Sequence, residues 1–170
     1  MPDDPQLYEL ATRVGRRLFA SKRRMVSAES CTGGWIAKAM TDVPDSSYWF
    51  ECGFVTYSNA AKIRDLGVSK ATLDAHGAVS EATVLEMASG ALRVSGADIA
   101  VAVSGIAGPT GGVAGKPVGT VWFATGVRRG EEVVLKASRQ LFEPDREAVR
   151  RRAVEYALEM ILQLGLPHTG

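Results

Sequence analysis

Residues 99–112 are IAVAVSGIAGPTGG, an unbroken apolar run followed at once by a glycine-rich stretch. Such a run is typical of a strand covered by helices on both faces, because a strand with one face in water alternates apolar and polar residues. Six glycines and two prolines lie between Gly105 and Gly119, too many for a helix or a strand. The segment therefore predicts the central strand of a layered α/β sheet, with a loop at its carboxyl end.

Helices and strands are predicted on both sides of this central strand. The predicted helices cover 5–22, 35–40, 60–66, 81–95 and 145–164, and the other predicted strands cover 25–28, 50–57, 120–127 and 132–138. Strand 50–57 is predicted to be broken at Gly53. The last two strands form a hairpin around the turn Arg128-Arg129-Gly130, so the sheet turns antiparallel there.

Composition favours one globular domain over the 170 residues. The formal net charge of +1 gives no global field of the kind that gathers nucleic acid, so a DNA-binding role is disfavoured. No apolar run approaches the ~20 residues that cross a bilayer, and the first five residues, MPDDP, lack a secretion signal. Two cysteines, Cys31 and Cys52, are too few for a disulfide framework. We expect a cytoplasmic protein with reduced thiols.

The turn at Glu29–Gly34 is the first candidate for chemistry. It joins a strand to a helix, and such a turn exposes a side chain beneath a group of backbone N–H donors, which suits a nucleophile beside an oxyanion hole. Ser30 and Cys31 are both candidate nucleophiles. The turn is not a GxSxG motif, so small residues that merely permit a sharp connection are the alternative.

A serine nucleophile needs a base, and histidine is scarce in this chain. His168 lies three residues from the carboxyl end and His76 lies in a polar stretch between predicted helices, so both are expected at the surface. Lys62 lies in the first turn of a predicted helix, where the helix dipole and burial would each lower its pKa. Tyr57 precedes that helix and is a candidate to hydrogen-bond the nucleophile or relay a proton. Taken alone, Lys62 is far more typical of a solvated surface lysine, and only its occurrence together with Tyr57 and the Ser30 turn favours a base.

The glycine loop after the central strand lies where open α/β sheets bind ligands. Ser104 at the strand end offers a hydroxyl to that crevice, and the loop backbone can approach a phosphate closely. Arg146 in the first turn of the last helix is a candidate for a ligand anion, with an exposed arginine as the alternative. Residues 150–152, all arginine, are predicted to form the solvated helix face, with contact of one of them with the ligand as the lesser alternative. No P-loop lysine and no metal-ligand spacing of His, Cys and carboxylates occurs.

Six ordered motifs resemble those of the CinA C-terminal-domain family. They are AESCTGGW at 28–35, GFVTYSN at 53–59 followed by Lys62, HGAVSE at 76–81, SGIAGPTGG at 104–112, KPVGTVWFA at 116–124 and DREAVRR at 145–151. The resemblance implies a single three-layer α/β/α domain with a mixed central sheet. It also implies hydrolysis of the carboxamide of nicotinamide mononucleotide to nicotinate mononucleotide and ammonia, with no cofactor or metal. Many members carry an upstream pyrophosphatase-type domain, for which this chain has no room.

The resemblance also implies roles for individual residues. The nucleophile matches Ser30, the base Lys62, and a tyrosine that assists them Tyr57. The hydroxyl at the loop entrance matches Ser104, and the substrate-binding arginine matches Arg146. The residues themselves add the N–H groups of Thr32, Gly33 and Gly34 as candidates for the oxyanion hole, and Gly105 at the start of the glycine loop as a further substrate-binding candidate. A homodimer is expected, because small α/β enzymes often pair symmetrically. A non-catalytic nucleotide-binding module and an interaction protein acting through its helices remain the alternatives.

Overall fold

The computed structural model describes residues 1–166, which form one five-stranded sheet flanked by helices. The strands are Met25–Glu29 (β1), Phe50–Val55 (β2), Ile99–Gly105 (β3), Thr120–Arg129 (β4) and Glu132–Leu141 (β5). The helices are Asp4–Ala20 (α1), Trp35–Thr41 (α2), Asn59–Leu66 (α3), Lys70–His76 (α4), Glu81–Ser95 (α5) and Arg146–Leu162 (α6), with a short 3₁₀ turn at Ser46–Tyr48. None of these helices is both long and apolar enough to cross a bilayer.

The sheet is mixed, with the strand order β2-β1-β3-β4-β5. Strands β2, β1 and β3 are parallel, and β4 and β5 continue the sheet antiparallel. Ile99, Val101 and Val103 pack into a core shared with α1, α2 and α6, whereas Ala100 and Ala102 pack into a second core with α3, α4 and α5. The central strand is therefore buried on both faces, and the predicted three-layer α/β/α class with a mixed sheet is confirmed.

Some predicted boundaries are wrong by a few residues. Helix α1 ends at Ala20, because Ser21 already caps it. The hairpin turn lies at Gly130 and residue 131 rather than at Arg128-Arg129-Gly130, and β4 and β5 are longer than predicted. Gly130 has a φ of +63°, a conformation that glycine adopts without strain.

Two predictions about the middle of the chain are also wrong. Gly53 does not break β2, which runs unbroken through it. Glycine is needed there because a Cβ would lie 2.9 Å from the Cβ of Ala37 and 3.0 Å from the hydroxyl of Ser27. His76 does not lie between helices but ends α4, a helix that the sequence analysis missed. His168 lies outside the described residues.

Candidate active site

The carboxyl ends of the three parallel strands bring the predicted site residues together. β1 lies between β2 and β3, so the segments that follow these strands meet at one edge of the sheet. A cleft of about 200 Å³ opens there. Its walls include six of the nine predicted residues, namely Ser30, Tyr57, Lys62, Ser104, Gly105 and Arg146, whereas Thr32, Gly33 and Gly34 do not line it.

Ser30 and Lys62 form a buried pair at the base of this cleft. The Lys62 side chain is fully buried, so its interpretation as a surface lysine is wrong. Its Nζ lies 3.0 Å from the Ser30 Oγ and donates to the backbone oxygens of Thr56 at 2.7 Å and Tyr57 at 3.3 Å. A neutral amine keeps both carbonyl partners with its two hydrogens, which leaves its lone pair for the Ser30 hydroxyl proton. The geometry therefore suits proton transfer from Ser30 to Lys62.

Burial lowers the pKa of Lys62 from its usual 10.5 to about 8. An ammonium group out of water loses hydration, and no carboxylate is paired with it among the described residues. Near pH 8 about half of the Lys62 amines are neutral and able to accept a proton.

Glu29, which the sequence analysis did not single out, holds the turn that carries Ser30. The carboxylate is fully buried and accepts four hydrogen bonds, from the hydroxyls of Ser27 and Thr32 and the backbone N–H groups of Ile36 and Ala37. A buried carboxylate is stable only with its acceptor positions filled, and here all four partners belong to the turn or to its flanking elements. Glu29 therefore ties the end of β1 to the first turn of α2.

Two glycines allow the chain to turn sharply after Ser30. Gly33 and Gly34 have φ values of +62° and +93°, a region that other residues rarely adopt. The Gly33 N–H donates to the Ser30 oxygen at 3.1 Å, so this N–H is occupied within the turn. In the part of the chain that the structure describes, the N–H groups of Thr32 and Gly34 have no hydrogen-bond partner. Thr32 is fully buried and Gly34 is half-buried, so the Gly34 N–H is the more accessible candidate to stabilise an oxyanion.

Cys31, the alternative nucleophile, is in an unfavourable environment for a thiolate. Its side chain is 6% exposed, and burial raises the pKa of the thiol to about 12. Since the thiolate is the reactive form of cysteine, this environment favours Ser30.

The remaining predicted residues line the cleft from its buried wall to its mouth. The Ser104 hydroxyl is buried and donates to the Ala78 oxygen at 2.8 Å. Arg146 donates to the Gly108 oxygen at 2.7 Å and makes a weak 3.5 Å contact with the Tyr57 hydroxyl. Tyr57 contacts Lys62 through its backbone oxygen, while its exposed ring faces the cleft mouth. A proton-relay role for Tyr57 stays a prediction.

The prediction that Arg150 belongs to the solvated face of α6 is wrong. Its side chain crosses from α6 to the nucleophile turn, where it donates to the backbone oxygens of Cys31 at 3.2 Å and Thr32 at 3.0 Å. The three successive arginines look alike in the sequence, although Arg150 is the one of them that donates to backbone oxygens of the turn. Helical spacing from the buried Val149 and Ala153 was the available signal.

Comparison with known families and proteins identifies relatives of this chain. The family model of the CinA C-terminal domain matches residues 7–164. The nicotinamide-nucleotide amidohydrolase PncC of Escherichia coli K12 is 54% identical over 166 residues, covering 98% of this chain and 99% of that protein. The protein of the same name from Pseudomonas putida is 54% identical over 162 residues, covering 95% of this chain and 98% of that protein.

Solved structures give the same fold. The competence/damage inducible protein CihA from Agrobacterium tumefaciens matches with a TM-score of 0.87 and 46% identity, over 95% of this chain and 96% of that chain. A competence-damaged protein (CinA) superfamily protein from Enterobacter cloacae matches with a TM-score of 0.85 and 39% identity, over 92% and 91% of the two chains. Identities of this size over nearly whole chains indicate common ancestry.

Proposed function

Since this chain belongs to the CinA C-terminal-domain family, we propose that it is an amidohydrolase that converts nicotinamide mononucleotide and water to nicotinate mononucleotide and ammonia. The observation that carries the proposal is the buried contact of 3.0 Å between Lys62 Nζ and Ser30 Oγ inside the cleft. Near-full-length relatives named nicotinamide-nucleotide amidohydrolase supply the substrate class.

The first half of the proposed reaction acylates Ser30. Neutral Lys62 takes the hydroxyl proton as the Ser30 Oγ attacks the carboxamide carbon, and the carbonyl oxygen becomes an oxyanion. Backbone N–H groups of the turn, those of Thr32 and Gly34, receive the oxyanion. The tetrahedral intermediate then collapses, the C–N bond breaks, and the Lys62 ammonium returns its proton to the leaving nitrogen, which departs as ammonia.

The second half hydrolyses the resulting ester. Lys62 is neutral again after ammonia leaves, so it accepts a proton from a water molecule that attacks the ester carbon. The C–O bond to Ser30 breaks, and the same proton returns to the Ser30 oxygen. Each half-reaction uses one proton and one base, and neither needs an imidazole.

The phosphate of the substrate is proposed to bind at the mouth of the cleft. Arg146 offers a guanidinium that is exposed and anchored on the Gly108 oxygen, and the adjacent glycine loop allows close backbone approach. Ser104 and Gly105 line the wall between this mouth and Ser30. Binding energy from the distant phosphate then orients the amide against Ser30.

A cytoplasmic location and a homodimer belong to the same proposal. The location is inferred from the proposed nucleotide substrate, and the homodimer from the frequent symmetric pairing of small α/β enzymes. Light scattering after size exclusion tests the oligomeric state.

Ammonia release tests the proposed function. The parent protein is expected to release ammonia from nicotinamide mononucleotide faster than from nicotinamide riboside or nicotinamide, which lack the phosphate. Ser30→Ala is expected to lower kcat by about 10⁴-fold or more, because the nucleophile is lost. Cys31→Ala is the matched control and should keep the parent rate. A parent protein that binds the nucleotide without releasing ammonia would instead be a nucleotide-binding module.

A further inference from the structure

Ser104 lies beside Ser30 on the same face of the sheet. The Ser30 N–H donates to the Val103 oxygen at 3.0 Å, so the two serines are neighbours across the parallel strands β1 and β3. Ala28 and Ala102, two residues earlier on each strand, both pack into the core with α3, α4 and α5. Because side chains alternate along a strand, both serines point to that side, and both line the cleft. With about 4.8 Å between neighbouring strands, Ser104 is within reach of a group attached to the carbon that Ser30 attacks.

The hydroxyl of Ser104 has a fixed polarity. Its one hydrogen is donated to the Ala78 oxygen at 2.8 Å, which leaves only lone pairs for a ligand. The segment that carries Ala78 is itself held in place, because the Gly77 oxygen accepts hydrogen bonds from the hydroxyls of Ser80 and Thr83. Toward the cleft, Ser104 therefore presents an acceptor that is in position before a ligand arrives.

The other polar side chains in the cleft do not offer an equivalent acceptor beside Ser30. Lys62 is paired with Ser30 itself, and the Tyr57 hydroxyl lies near the guanidinium of Arg146 at the mouth. None of the described residues that line the cleft carries a carboxylate or a side-chain amide. The Ser104 oxygen is thus the side-chain acceptor that a group bound next to the nucleophile meets.

We propose that Ser104 is a specificity-determining residue, which accepts a hydrogen bond from the NH₂ of the substrate carboxamide and disfavours the carboxylate product. The NH₂ of a carboxamide has two hydrogens to donate, whereas an ionised carboxylate has only acceptors at the same position. Two acceptors that face each other without a hydrogen between them repel, so one lone pair both selects the amide and rejects the acid. The inference rests on the proposed function and names the substrate group that Ser104 binds.

The ratio of two affinities tests this role. The Ser30→Ala protein, which lacks the nucleophile, is titrated in a calorimeter with nicotinamide mononucleotide and with nicotinate mononucleotide. Titration at about pH 9 keeps most Lys62 amines neutral, so that an ammonium does not attract the carboxylate. We expect the amide to bind about 10-fold or more tightly than the acid. In the Ser30→Ala, Ser104→Ala protein the ratio should fall to about threefold or less.

Two further variants separate this role from a structural one. Ser104→Thr keeps the hydroxyl and should keep the ratio of the Ser30→Ala protein. Ser95→Ala is the matched control, since Ser95 likewise donates to a backbone oxygen, that of Ala91 at 2.7 Å, outside the cleft. It should leave the ratio unchanged. A merely structural Ser104 would weaken both ligands equally, so an unchanged ratio in the Ser104→Ala protein would overturn the inference.

A change in the ligand keeps the test decisive if the Ser104→Ala protein does not fold. The methyl ketone analogue of nicotinamide mononucleotide carries CH₃ in place of NH₂, so it has a similar size and no hydrogen to donate. It should bind the Ser30→Ala protein about 3- to 10-fold more weakly than nicotinamide mononucleotide does. Equal affinities would overturn the inference while ammonia release by the parent still supports the amidohydrolase. A parent without ammonia release would remove the proposed function and the inference together.

Discussion

The nucleophile turn at residues 29–34 and the glycine loop at residues 106–119 flank the same cleft and are built in opposite ways. In the turn, the Glu29 carboxylate accepts four hydrogen bonds and the Ser30 hydroxyl contacts the Lys62 amine, in a largely buried setting. In the loop, residues 109–115 are all exposed. Its β-type backbone pairing is an isolated bridge between Val113 and Lys116. The two walls of one site therefore differ in burial and in the number of fixed partners.

This difference matches the two tasks that the site combines. Covalent chemistry requires reacting atoms held within a few tenths of an ångström, which buried and saturated hydrogen bonds provide. Recognition of a hydrated phosphate requires exposed donors that exchange water for ligand. Changes to the turn should therefore alter kcat, whereas changes at the loop should alter KM.

Among the substitutions that test this contrast, the largest effect on kcat is expected at Lys62. Lys62→Arg keeps a positive charge, but its guanidinium stays protonated and cannot serve as a base, so kcat should fall by about 10²- to 10⁴-fold. In the parent, the neutral fraction of Lys62 rises with pH through its pKa of about 8. The rate should therefore rise about tenfold from pH 7 to a plateau above pH 9, measured by ammonia release.

The control for this prediction is a lysine outside the cleft. Lys38→Arg alters an exposed side chain that pairs with Asp42, so both the rate and its pH profile should remain those of the parent. A rise of the rate through pH 8 that persists in Lys62→Arg would assign the titration to another group.

Arg146 tests the other wall of the cleft. Arg146→Met should raise KM for nicotinamide mononucleotide by about 10- to 100-fold, because a charge-assisted contact with phosphate is lost. We expect kcat to change little at saturating substrate. Nicotinamide riboside, which has no phosphate, should be turned over equally by the parent and the variant. A fall in kcat with unchanged KM would place Arg146 with the nucleophile turn and break the contrast.

Sequence patterns are sufficient to predict an element where burial on both faces imposes an unbroken run of apolar residues. The unbroken apolar run 99–103 predicted the central strand, and ordered motifs predicted Ser30 and Lys62. Local patterns do not predict a charged residue whose surroundings are supplied by tertiary partners. Glu29 has no local signature, and helical spacing places Arg150 beside a buried stripe without showing its partners, since the groups that satisfy both residues become neighbours only when α2 and α6 have packed on the sheet. Helix α4 was missed because Leu73 is its sole buried residue.

A substitution of Glu29 tests whether the turn must keep all of its hydrogen bonds for stability and for activity. Glu29→Gln retains the shape of the side chain, but its amide nitrogen cannot accept the hydrogen bonds that the carboxylate oxygen receives. The free energy of unfolding should fall by about 1–3 kcal/mol and kcat by about tenfold. Denaturant titration and ammonia release measure the two quantities. Glu51→Gln, which disrupts an exposed pair with Arg24, should cost less than about 1 kcal/mol and leave kcat unchanged.

The smallest effect on kcat is expected from alanine at one glycine in each wall, chosen so that the backbone strain is similar at both positions. Gly33 in the turn and Gly115 in the loop have φ values of +62° and +79°, so alanine at either position costs about 1–2 kcal/mol of backbone strain. At Gly115 a Cβ has no neighbour within 4 Å, whereas at Gly33 it lies 3.4 Å from a guanidinium nitrogen of Arg150. Both variants should lose similar stability in thermal unfolding. We expect only Gly33→Ala to lower kcat, by several-fold, because strain in the turn moves the N–H groups beside Ser30, while strain in the loop is dissipated in solvent-exposed backbone. Equal losses of kcat in the two variants would show that the loop is as closely coupled to the chemistry as the turn.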